Sequence, residues 1–224
     1  MKYDEFLELV QRRRSVRRLK SDPVPDEYVE KILETVRWAP SGANTQPWEL
    51  IVLRDQEIKN KFLDVVSGRI DVESLKRAPV LIVVCGDTRT RVLYPSGRNL
   101  PLIPKIELGE DHVELKENVL TSSLSNAFLY ILLAATTLGL GTRYITSTAH
   151  PDVQREIKQV LKIPPYLVIY DTVALGYPES EPRQKTLRPL EDIIHYEQFD
   201  ESKAVKIEEI IERANALKER LRAK

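Results

Sequence analysis

Two short segments near the N-terminus carry the residue types best suited to gripping an anionic, planar ligand. The first is RRRSVRR, Arg12 to Arg18, and residues 11–20 hold five Arg and one Lys with no acid. Fixed guanidinium charge beside a hydroxyl suits a phosphate, which Arg can bind through two parallel hydrogen bonds. The second is PSGANTQPW, Pro40 to Trp48. Its small residues permit close backbone approach, and the Asn44 and Gln46 amides offer donors and acceptors to a polar heterocycle. Each segment also has a plainer reading. Cations are favourable at a helix C-terminus, and a basic run can equally face solvent or nucleic acid. Pro, Ser, Gly and Asn are ordinary turn residues.

The elements around these segments must position them. Asp4 to Arg13 reads as a helix with Phe6, Leu7, Leu9 and Val10 on one stripe. After Pro23 and Pro25 a second amphipathic helix, Asp26 to Trp38, separates the basic run from the loop, and Pro40 stops it. Trp48 to Leu53 is a strand candidate and Asp55 to Val66 a short helix. Pro79 to Cys85 (PVLIVVC) is apolar almost throughout, as expected of a strand covered on both faces. Residues 88–117 show no sustained period and read as a lid or insertion without regular structure. Val119 to Leu138 is a long apolar helix ended by Gly139-Leu140-Gly141. It carries no charge and is long enough to span a bilayer, but its three Thr and three Ser favour the buried centre of a large domain. Thr142 to Thr146 (strand), His150 to Leu161 (helix) and Tyr166 to Leu175 (strand) follow. An extended arm and a charged helix, Ile207 to Arg222, close the chain. This order predicts an α+β fold, with helices on both faces of a central sheet.

At 224 residues the chain has room for one large domain or two small ones, and 34 basic against 34 acidic side chains leave no global field for nucleic acid or anionic membrane. His112, His150 and His195 lie too far apart in sequence to suggest a metal site. Cys85, the single cysteine, falls inside the apolar strand, and Met1 to Val10 holds three acids and no apolar run. Both observations lead us to expect a cytoplasmic protein. Gly139 and Gly141 lack the third glycine and following helix of a dinucleotide fingerprint. Trp38 and Trp48 read as packing residues flanking the loop.

The order RRRSVRR, helix, WAPSGANTQPWELIVL resembles the N-terminal signature of the nitroreductase family, in which a basic-x-Ser-x-basic element precedes a Pro-Ser-x-x-Asn-x-Gln-Pro-Trp loop. Ile131 to Thr146 (ILLAATTLGLGTRYIT) and Leu175 to His195 (LGYPESEPRQKTLRPLEDIIH) are similar to the family's core helix with its turn and to its closing segment. The resemblance implies a three-layer α/β/α fold with a mostly antiparallel sheet, FMN as cofactor, NADH or NADPH as donor, and a homodimer with the sites at its interface. It places Arg13, Ser15 and nearby Arg14 at the phosphate and ribityl chain, and Arg17 at the pyrimidine edge. Pro40, Ser41, Gly42, Asn44 and Gln46 would come from the partner subunit. The backbone of Ile145, Thr146 and Ser147 would approach flavin N5, and Lys185 and Arg188 would complete the phosphate site. Where family members often carry Glu after the core strand, this chain has Thr146, and the lid residues of the deiodinase branch find no match. The resemblance implies a domain over 1–195, with 88–117 as its lid, and a helical extension over 196–224. It implies ping-pong transfer to a nitroaromatic, a quinone or a similar electron-poor acceptor. Dehalogenation, flavin reduction and nucleic-acid binding by residues 12–18 are the alternatives.

Overall fold

A computed structural model describes residues 2–89, 91–93, 99–101, 110–182 and 185–222. By packing, the chain divides into Met1–Arg183 and Gln184–Lys224. The division at 195 expected above rests on the extent of a sequence resemblance, which is a different criterion.

The first unit is built on a four-stranded antiparallel sheet of order β1-β2-β6-β5, with β1 at Trp48–Leu53, β2 at Val80–Asp87, β5 at Gly141–Tyr144 and β6 at Leu167–Gly176. Every residue of β2 is buried, which explains its unbroken apolar sequence. Helices α3 (Gln56–Val66) and α6 (Pro151–Leu161) cover one face, where Phe62, Leu63, Ile157, Leu81, Val83, Ile169 and Ala174 form one cluster. Helices α2 (Asp26–Val36) and α5 (Glu110–Thr137) cover the other, around Ile32, Phe128, Ile131, Ile82, Val84 and Val173. The result is the three-layer α+β arrangement that the sequence predicts.

Helix α1 (Tyr3–Arg12) is different, because none of its residues is buried. Its stripe of Phe6, Leu7 and Val10 stays exposed. The segment Glu117–Thr137 of α5 meets the length and hydropathy of a membrane span. Leu124, Ala127, Phe128, Ile131 and Ala135 from that segment are buried in the α2/α5 cluster.

Residues 88–117 depart from the expectation of an irregular segment. Within them a two-stranded hairpin pairs β3 (Arg91–Leu93) with β4 (Asn99–Pro101), and α5 begins at Glu110 rather than near Val119. Three-residue strands are too short to display alternation, and the first two turns of α5 (EDHVELKE) are too charged to display an apolar stripe. Residues 90, 94–98 and 102–109 of this segment lie outside the described residues. Helix α4 (Glu73–Lys76) is likewise a single turn that no periodicity announces.

In the second unit, short turns at Leu190–Asp192 and Glu201–Lys203 lead into α7 (Ile207–Arg222). His195 stacks on Phe199 at 4.3 Å between ring centres, and its Nδ1 accepts the Asp200 N–H at 3.0 Å. Leu187, Leu190, Tyr196, Phe199, Ile207, Ile210 and Ile211 are all exposed.

Candidate functional site

The basic run lies along the free edge of β5. Ser15 forms a parallel bridge with Thr142, and the Val16 N–H donates to the Thr142 carbonyl at 2.8 Å. Further along, Leu19 bridges to Pro178, the Lys20 N–H donates to Tyr177 O at 2.8 Å, and the Glu179 N–H donates to Arg18 O at 3.1 Å. Val16 and Leu19 are buried and act as anchors. A Cβ on Gly141 would meet Val16 Cγ2 at 2.8 Å, so the close fit of run and strand depends on that glycine. The charged side chains stay outside this packing. Arg13 and Arg14 are half-buried, while Arg12, Ser15, Arg17 and Arg18 are exposed. Arg14 turns back to the carbonyls of Gln11 and Arg13. None of these guanidiniums pairs with a carboxylate among the described residues. An unneutralised cluster of this kind has a strong demand for an anion.

Directly after β5 the chain makes one helical turn, Thr146–Ala149. The Ile145 N–H donates to Thr172 O at 2.8 Å, which fixes the start of the turn against β6. Thr146 is exposed, but Ser147 is buried and its Oγ has no hydrogen-bond partner among the described residues. Buried hydroxyls are rarely left so. Beside this turn the Tyr144 ring lies 4.6 Å from that of Phe128. Burial pushes the Tyr144 phenol up, against the opposing charge of nearby Arg13.

Asp171 belongs to the same region and was not singled out from sequence, although a lone acid inside LVIYDTVALG is a visible signal. A bulge lets β6 present Asp171 opposite Val84, a member of the α2/α5 cluster. Its carboxylate accepts the Thr172 N–H at 2.7 Å, and burial pushes its pKa up to about 6. Cys85, by contrast, is an inert core thiol, pushed up to about 12 chiefly by burial.

The second segment, Pro40 to Gln46, is held very differently. Ala43, Asn44 and Gln46 have φ of 48°, 52° and 44°, the left-handed region that Asn tolerates and Ala and Gln do not favour. The Ser41 hydroxyl accepts the Gln46 N–H at 3.0 Å and the Gln46 amide donates to Asn44 Oδ1 at 3.2 Å, so the three polar residues brace one another. Helix α5 supplies the rest. Ser123 Oγ accepts the Gly42 N–H at 3.2 Å, and Asn126 Nδ2 donates to Pro40 O at 3.0 Å. A Cβ on Gly42 would strike Val119 Cγ1 at 2.3 Å. Trp48 is half-buried against the α2/α5 cluster, but Trp38 is 77% exposed and does not pack as expected.

Within one chain the two segments are kept apart. The loop leads into β1 and the run borders β5, the opposite edges of the sheet. Three inter-strand spacings put those edges about 14 Å apart. Helix α5 also stands between them. Asn126 reaches the loop while Phe128, about 200° further round the helix, meets Tyr144 beside the run. The structure thus brings Arg13–Arg17 together with Ile145–Ser147 and leaves Pro40–Gln46 elsewhere. Lys185 and Arg188 fall in the second unit. Both are exposed, and Arg188 Nη2 donates to Asp192 O at 3.0 Å.

Comparison with known proteins agrees with this architecture. The profile of the nitroreductase family matches residues 10–76, which include both segments. The chain is 30% identical over 178 residues to an Archaeoglobus fulgidus protein inferred to be an NADH dehydrogenase/NAD(P)H nitroreductase, covering 80% of this chain and 88% of that one. It is 28% identical over 196 residues to the iodotyrosine deiodinase of Nematostella vectensis, covering 85% of this chain and 74% of that one. Among solved structures, an FMN-dependent nitroreductase from Clostridium difficile superposes with a TM-score of 0.67 at 24% identity, over 86% of this chain and 99% of that one. The fold is the α+β arrangement of the nitroreductases. The chain belongs to the nitroreductase family and is an oxidoreductase.

Proposed function

We propose that the chain is an FMN-dependent NAD(P)H oxidoreductase. It acts as a homodimer in which each site combines the Arg13–Arg17 run of one chain with the Pro40–Gln46 loop of the other. The observation that carries this reading is the placement of the two segments at opposite sheet edges with α5 between them. Within one chain α5 stands between them, whereas two chains related by a twofold axis supply each segment twice. The exposed apolar stripe of α1 and the exposed arm of the second unit offer surface for such an association.

The residues present fit an FMN. Arg13 and Arg14, with no carboxylate partner among the described residues, suit its phosphate. Arg17 is assigned to the pyrimidine edge, where a cation stabilises negative charge on the reduced ring. The unpartnered Ser147 hydroxyl and the exposed turn at Thr146 suit the N5 side of the ring. The Asn44 and Gln46 amides of the partner chain suit its polar edge. When bound, FMN supplies the capacity to accept a hydride from NADH or NADPH and pass it to a second substrate. The protein's own work is to hold the ring system, fix its polar edge and admit donor and acceptor in turn. This is why no metal cluster or nucleophile is required. The acceptor we propose is an electron-poor nitroaromatic or quinone.

The likeness to a deiodinase favours a second reading, reductive dehalogenation at the same site. The two separate on turnover of nitroaromatics, quinones and halophenols under anaerobic conditions. The primary test is an absorption spectrum of the purified protein after incubation with FMN, together with its mass in solution. A monomer that stays colourless would sink the proposal.

A further inference from the structure

The Arg143 side chain ties the basic run to the Asp71–Ser74 turn. It sits on β5 in register with Ala174, a member of that layer's cluster. Its Nη1 donates to Arg17 O at 3.3 Å and also to the Ser74 hydroxyl, while Nη2 donates to Asp71 O at 3.3 Å. Ser74 in turn donates to Asp71 Oδ2 at 3.1 Å, and Asp71 Oδ1 accepts the Glu73 N–H at 3.2 Å. Among the described residues the guanidinium therefore hydrogen-bonds no carboxylate directly; the Ser74 hydroxyl bridges it to Asp71. Burial works against that charge, the nearby Asp71 charge supports it, and the neighbouring cation Arg17 opposes it more weakly. A half-buried cation is costly unless its donors are satisfied, and here three oxygen acceptors fix its geometry. The neighbouring residue, Thr142, already binds the Val16 N–H. Consecutive residues of β5 thus hold consecutive parts of the run, Thr142 by main chain and Arg143 by side chain.

We infer that Arg143 is a positioning residue for Arg17. By fixing the Arg17 carbonyl it sets the direction in which that exposed side chain leaves the sheet edge, and so aims its charge at the flavin pyrimidine edge. The inference rests on the FMN reading above. The planar fork reaches the Arg17 carbonyl and the Asp71–Ser74 turn from two separate nitrogens, a span that a lysine ammonium, whose donors share one nitrogen, does not reproduce. Arg143→Lys therefore keeps the charge and loses the brace.

The test uses the full-length protein with FMN as probe and three variants: Arg143→Ala, Arg143→Lys and Ser74→Ala. FMN affinity is read by fluorescence titration, the flavin midpoint potential by anaerobic redox titration, and the brace by hydrogen exchange of peptides covering residues 13–20. Arg143→Ala is expected to weaken FMN binding about tenfold, on the scale of a hydrogen bond to a charged group, to make the potential more negative and to speed exchange in 13–20. Arg143→Lys is expected to follow Arg143→Ala, and Ser74→Ala to show a smaller loss of protection with a native melting curve. If Arg143→Lys behaves as wild type, charge alone suffices and the positioning role is overturned. Unchanged affinity and potential in folded Arg143→Ala or Ser74→Ala protein despite faster exchange overturn it too. Failure of the wild-type protein to bind FMN defeats the FMN reading instead, and exchange in the flavin-free variants then still decides whether the brace exists.

Discussion

The basic run and the polar loop solve the same problem, holding polar groups outward, by opposite means. The run borrows regular structure. Its backbone pairs with Thr142 and Pro178, Val16 and Leu19 fill the core, and the arginines project from a relaxed chain. The loop has no strand to lean on. It forces Ala43, Asn44 and Gln46 into left-handed backbone and holds them with Ser41 and three residues of α5, Val119, Ser123 and Asn126. Strain of this sort persists only where the surroundings over-determine it. The run is also surrounded by titratable groups, whereas PSGANTQPW contains none. One half of the proposed site is thus electrostatic and unstrained, the other neutral and strained.

The largest effect should come from breaking each half in a separate chain. Arg13→Ala is expected to weaken FMN binding between about tenfold and a hundredfold, as expected for a charge-assisted contact. Asn44→Ala should damage the other half. Refolding the two variants together should restore about a quarter of the wild-type sites, because half of the dimers are mixed and each mixed dimer holds one intact site. No recovery of activity or flavin absorbance in the mixture would show that both halves belong to one chain.

The next effect separates the halves by pH. Asp171, on the run side of α5, has its folded pKa raised from 3.8 to about 6. Between those values the folded protein binds more protons than the unfolded one, so stability falls as pH rises, and the penalty is complete above about pH 6. Asp171→Asn should therefore stabilise the protein by about 3 kcal/mol at pH 7.5 and by almost nothing near pH 4. Calorimetric melting of both proteins across that range checks the sign. A gain that is equal at both ends would mean the carboxyl is not the cause.

The smallest effects concern strain. Ala43→Gly should stabilise the fold by about 1 kcal/mol, since glycine carries no left-handed penalty. Ser41→Ala should cost about 1 kcal/mol, because the Gln46 N–H loses its acceptor. Denaturant melts measure both. If Ala43→Gly also weakens FMN binding, the loop's rigidity serves the ligand; if not, the strain is incidental to it.

These contrasts explain what could be read from sequence. The fully buried strand β2 and the amphipathic helices α2, α3 and α6 announce themselves, because each buries a fixed pattern of side chains. Asp55 even caps α3, accepting the Ile58 N–H at 2.9 Å. The hairpin β3–β4 and the single turn α4 are too short for any period. The composition of the candidate site was legible as residue types, and the resemblance assigned the loop to a partner chain, but residue types alone do not give the separation of run and loop within one chain. That separation depends on strand order, which places β1 and β5 at opposite edges. Nor do Ala43 and Gln46 disclose their backbone, since neither type prefers positive φ. Arg143 gives no local signal either, because its partners lie more than sixty residues away in the chain.

The separation of run and loop has a consequence for how the protein behaves on dilution. If a complete site needs two chains, cofactor retention becomes a second-order property of protein concentration. Flavin and partner then hold one another in place by mass action. A dilute sample should shed its colour at a concentration set by the subunit equilibrium, and added FMN should draw the subunits back together.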